Sequence, residues 1–164
     1  MSTSSTNKQP LLIDRPWANA VRLTAKVVPD WLGITSGMME VLLDGTRSGF
    51  DGAIIDTVQV VTHDAGPHEI ALFLSFAGSG SLFGPDNVMP VSSGSFGGAK
   101  GIETMELPEI SVPVPAVAMG AAGTREAGKN RGLWVPRGAQ VLVARVAAAP
   151  TTVGVQVVAF GGEY

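Results

Sequence analysis

His63, Asp64, His68 and Glu69 stand in an H-D-x-x-x-H-E arrangement, and imidazoles with carboxylates are ligand types that a divalent metal takes. A hairpin turning through "HDAGPH" would bring the four together. Two histidines are too few for a full metal-holding set, so the cluster reads as a polar turn and no metal or cofactor is expected. The same shortage limits nucleophilic catalysis. There is no G-x-S-x-G elbow, and any Ser-His-Asp triad would have to be built around His63 or His68. "SSGSFGGAKG" looks at first like a phosphate cradle, but Lys100 is followed by Gly101 where a P-loop needs Ser or Thr. Asp51 and Asp56 have the composition of a glycosidase pair, which in sequence looks the same as two loop acids. The expectation is a protein without catalysis.

One charge cluster remains. "GTREAGKNRGLWVPRG" sets Arg125, Lys129, Arg131 and Arg137 against Glu126 alone, with Trp134 beside them, in a chain of net charge −3. Arg and Trp are enriched at protein interfaces, and a basic loop on an acidic protein suits an acidic partner surface. The other reading is a solvated loop before a strand. The overall negative charge argues against a general nucleic-acid binder, because duplex binding needs a basic face.

The elements that carry these residues are strands. The chain has 164 residues, 45% of them hydrophobic and 15% charged, with 21 glycines, 11 prolines and no cysteine. That composition suits one domain of many short strands, held by packing or assembly without disulfides or thiolate sites. No apolar run approaches a membrane span, and "MSTSSTNKQ" is polar where a secretory leader would be apolar, so a soluble product made in the cytoplasm is expected.

Residues 1–20 read as an extended arm, polar and interrupted by Pro10 and Pro16, with Leu11, Leu12, Ile13 and Trp17 as sticky side chains for a neighbouring subunit or for the domain itself. The domain then runs over residues 21–164. "AVRLTAKVV" (20–28) alternates as a strand with Val21, Leu23, Ala25 and Val27 inward. "MMEVLLDG" and "GAIIDTVQVVT" are strands with Asp-Gly at each side of their connection. "HEIALFLSF" alternates after the "HDAGPH" turn and forms a hairpin with the strand before it. Residues 78–101 are so rich in Gly, Ser and Pro that an irregular surface loop is expected. In "IETMELPEISVPVPAV", Pro113 and Pro115 share parity, which marks an edge strand with one edge unable to pair. "AQVLVARV" and "VGVQVV" alternate around a short turn, the second ending near Tyr164. Seven or eight strands without helical periodicity predict a β-sandwich, best a jelly roll.

The order "LLDGTRSGFDGAIIDTVQVV", "EIALFLSF", an irregular insert, "ELPEISVPV", "LWVPRGAQVLVARV" and a terminal "VGVQVVAFGGEY" resembles the jelly-roll capsid decoration (cement) proteins of tailed bacteriophages. The resemblance spans residues 38–164. It implies a virion protein without catalysis that binds the outside of the shell of major capsid protein, on the capsid exterior, as a homotrimer. Leu11, Leu12, Ile13, Trp17, Arg125, Lys129, Arg131 and Trp134 are then the expected contacts with capsid protein or sister subunits. The insert at 78–101 and the polar arm depart from the pattern, and phage tail and fibre proteins reuse similar sandwiches. The alternative function is a tail or fibre module binding host-surface carbohydrate, with Trp31, Trp134 or Phe96 stacking on sugars. A small sandwich enzyme of the cupin kind would need metal at His63 and His68.

Overall fold

Alternating apolar residues with β-branched enrichment fold here as nine strands among the described residues, in two antiparallel sheets packed face to face. The computed structural model describes residues 15–23, 28, 30–63, 67–78, 80–97, 101–108, 132–147 and 154–163. The first sheet contains β1 (Arg15–Leu23), β9 (Val155–Glu163), β3 (Gly52–Thr62) and β6 (Gly101–Met105) in that order, with β7 (Leu133–Pro136) also on β3. The second runs β2 (Glu40–Asp44), β8 (Gln140–Arg145), β4 (His68–Ser75) and β5 (Val88–Phe96). Successive strands mostly alternate between sheets, and only β4–β5 and β6–β7 follow one another within one. This is the strand order of a jelly roll.

The central core lies between the sheets. Ile55, Val58 and Val60 of β3 and Val155, Val157 and Ala159 of β9 meet Ile70, Leu72 and Leu74 of β4 and Val141 and Val143 of β8. The alternate residues of β4 and β8, Ala71, Phe73, Leu142 and Ala144, point out of the sandwich and are buried all the same. Two connections cover them. Residues 28–39 and 76–88 lay Val28, Met39, Phe83 and Val88 over that outer face, and Trp31 tilts against Phe73 at 6.0 Å between ring centres. The two connections pair with each other as well, Gly33 N donating to Phe83 O at 2.8 Å and Phe83 N to Ile34 O at 2.7 Å. β4 and β8 are therefore apolar on both faces, as strands buried on both sides must be.

Turn chemistry closes one end. Asp44 accepts from the Thr46 hydroxyl at 2.6 Å and the Thr46 amide at 3.0 Å, an Asx turn that releases β2. Gly45 N donates to Ala139 O and Gly138 N to Gly45 O, each at 2.9 Å, so the turns before β3 and β8 are zipped together. A Cβ on Gly45 would stand 2.3 Å from Ala139 O and 2.8 Å from the Phe50 ring, leaving room only for glycine.

Three expectations are corrected by the tertiary arrangement. Residues 15–20, assigned to the arm, form the first six of the nine residues of β1, which starts at Arg15; Pro16 is tolerated because β1 is an edge strand. Residues 78–101 are not one irregular loop, because Val88–Phe96 pairs along β4 as β5. Its weak strand propensity is offset by apolar anchors at Val88, Val91 and Phe96, and the Phe96 ring lies over Gly94, 2.8 Å from where a Cβ would stand. β3 and β4 do not form a hairpin: they lie in opposite sheets, as do β8 and β9. Two strands facing one core show the same alternation whether they are neighbours or stand across it. The Pro113 and Pro115 segment lies outside the described residues.

Candidate functional site: an exposed apolar sheet face

β3 is the strand around which the exposed surface is organised. β9 pairs along one side of it, while its other side is shared, Val58–Thr62 with β6 and Gly52–Ile55 with β7. Between the two, a bulge against β9 places Asp56 as an extra residue. Opposite it, a Cβ on Gly161 would stand 2.0 Å from Ile54 O, so the backbones approach as closely as they do only because position 161 is glycine. The gap between β6 and β7 is an open cleft of about 290 Å³ lined by Asp56, Thr104, Met105, Glu106 and Leu107.

Outside the sandwich, this sheet presents four transverse rows. Pro16, Gly162, Ile54 and Trp134 make the first; Ala18, Phe160 and Thr57 the second. Ala20, Val158, Gln59 and Thr104 make the third, and Arg22, Gln156, Val61 and Ile102 the fourth. Ile102, Trp134 and Phe160 are 65%, 56% and 40% exposed. Cross-strand pairs such as Ile54–Trp134 and Val61–Ile102 would ordinarily support a buried face. Among the described residues, the charged side chains in or between these rows are Arg22 at one corner, Asp56 at the bulge and Glu103 on the β6 edge.

The residues singled out for metal chemistry are parted by burial. His68 is fully buried where β4 begins, whereas His63 and Glu69 are exposed, and Asp64 lies outside the described residues. Among the described residues no three His, Asp or Glu side chains are grouped closely enough to hold a metal ion. Asp51 reaches toward Arg137 at 4.0 Å. It precedes β3, and Asp56 lies roughly 15 Å further along at the rise of an extended strand, beyond either glycosidase spacing.

Of the expected partner contacts, Trp17 and Trp134 are described. Trp17, in β1, packs on the central core, with its indole Nε1 buried and without a hydrogen-bond partner among the described residues. Trp134 lies open in the first row. Leu11, Leu12, Ile13, Arg125, Lys129 and Arg131 lie outside the described residues. Of the three aromatics considered for sugar stacking, Phe96 is in the central core and Trp31 is packed on Phe73, which leaves Trp134 in solvent. No family model, curated protein or solved structure matches this chain.

The sequence reading missed Phe160, Ile102 and Val61. Their signal is parity: Val61, Val158 and Phe160 are apolar at positions opposite to the inward set on the same strands, where a solvated face would carry polar residues. Among the described residues no helix is long and apolar enough to cross a membrane.

Proposed function

We propose that this chain is a structural virion protein that decorates the outer surface of a tailed-phage capsid, binding the shell of major capsid protein and stabilising it as a trimer. The observation that carries this reading is the investment of the surface. The sandwich covers one apolar outer face with its own connections, while the other, with few charges, has no such cover among the described residues and suits a protein partner, whether capsid protein or a sister copy. A shell-binding module needs rigid strands, closed edges and an apolar docking surface, and it needs no reactive side chains. Arg125, Lys129 and Arg131 are residue types that would add electrostatic attraction to an acidic shell.

The test is co-sedimentation with empty shells of the phage whose genome carries the chain. Saturable binding at a fixed ratio to capsid protein, with a higher temperature of shell disruption, is the expected result. Failure to sediment with shells at micromolar concentration removes the reading.

A further inference from the structure

We infer that the outer face of the β1–β9–β3–β6/β7 sheet is where copies of this chain pack on one another. The inference is of a two-fold contact, separate from the homotrimer that the resemblance implies; it rests on self-association alone and is tested without shells.

Three observations on the molecule converge. The first is the asymmetry of cover. The outer face of the second sheet is sealed by residues 28–39 and 76–88, so this fold buries an apolar sheet face where it has chain to do so. The first sheet, with Trp134, Ile102 and Phe160 in solvent, has no such cover among the described residues.

The second is charge. A chain of net charge −3 repels its own copies unless the contact avoids its acidic groups. The pairs Ile54 with Trp134, Ala18 with Phe160, Ala20 with Val158 and Val61 with Ile102 carry no acidic group, and the nearest carboxylates among the described residues are Asp56 at the bulge and Glu103 on the β6 edge. A mainly apolar patch with few charges can serve as its own complement, as an isologous contact requires, since the same surface serves both copies. A partner recognised by charge would gain nothing from this face.

The third is area. Four strands abreast at about 4.8 Å and seven residues along the strand at about 3.4 Å, with side-chain margins, make a patch of roughly 20 by 25 Å. Two copies facing each other would bury about 1,000 Å² in all, at the threshold for a specific interface. A face of that size is at the upper end of the largest apolar patch that a monomer keeps, and such patches are often functional.

Light scattering on the full chain at about 100 µM, without shells, is the experiment. The wild type is expected at a multiple of 16.9 kDa. Trp134→Glu and Ile102→Glu are expected at one chain's mass, with association weakened at least tenfold and the melting temperature within a few degrees of wild type. Val41→Glu, an exposed apolar residue of the other sheet, should leave the mass unchanged. Because the chain has no cysteine, a pyrene on Ile102→Cys reports the contact even if the glutamate variants fold poorly. Excimer emission is expected there and not from Leu82→Cys, in the connection over the opposite face. A monomeric wild type, or an oligomer indifferent to both glutamates and free of excimer, overturns the inference. So does a monomer captured by shells through Trp134, which would hand the face to capsid protein and leave the decoration reading standing.

Discussion

Asp44 shows how a single side chain contributes through its ionised form. The Thr46 hydroxyl hydrogen bond, joined by Gln140 Nε2 at 3.1 Å, the Thr46 amide and the Arg47 charge, outweighs burial and holds its carboxyl below the ordinary carboxylate value. A depressed carboxylate stabilises the fold above its unfolded pKa of about 4 and loses that contribution as pH falls through the folded value. Asp44→Asn is therefore expected to lower stability by about 0.5–1 kcal/mol at pH 7, with the difference from wild type shrinking below pH 4. Urea titrations at pH 7 and pH 3 read both numbers, and an equal difference at the two pH values would refute the linkage. Nearby, Arg47 pairs with Glu163 and lies over the Phe50 ring at 5.4 Å, tying this turn to the last strand.

At the scale of elements, β1 sets the boundary between fold and tail. Asn19 Nδ2 donates to Leu42 O at 2.7 Å across the sandwich, and Trp17, Val21 and Leu23 face the core, so the strand is integral from its first turns. Deleting residues 1–14 should shift the melting temperature by no more than about 2 °C. Deleting 1–18 removes the Trp17 packing and should cost roughly 3 kcal/mol, about 6–12 °C in a chain of this size. Equal melting temperatures for the two deletions would show that Trp17 contributes nothing to the core. β1 was legible in "AVRL" but not in "RPWAN", because an edge strand escapes the alternation and proline rules that mark an inner one. β5 was hidden for a related reason. Its serines and glycine form a strand because β4 offers a ladder, which is a property of the neighbour and not of the segment.

For the whole molecule, the two proposed surfaces differ in their physics and should separate in salt. Packing through Trp134, Phe160 and Ile102 is apolar, so raising NaCl from about 0.05 to 0.5 M should leave the oligomer mass unchanged, and sulfate should strengthen it. Shell binding through the segment of Arg125, Lys129 and Arg131 should weaken at least tenfold over the same range. An oligomer that dissociates in salt would place its contact on charges and away from the sheet face.

Local pattern in the sequence determined the all-β class, the positions of β2, β3, β4, β8 and β9, and the turn at Asp44-Gly45, because alternation and turn chemistry act between near neighbours along the chain. Residue counts likewise made metal chemistry at His63 and His68 an unfavoured expectation. Which strands pair was decided only by the tertiary structure, since both sheets face one core and present the same alternation to it. The same is true of the outer faces. Leu142 and Val158 are equally apolar in sequence, and only the course of residues 28–39 and 76–88 over one sheet buries the first and leaves the second at the surface.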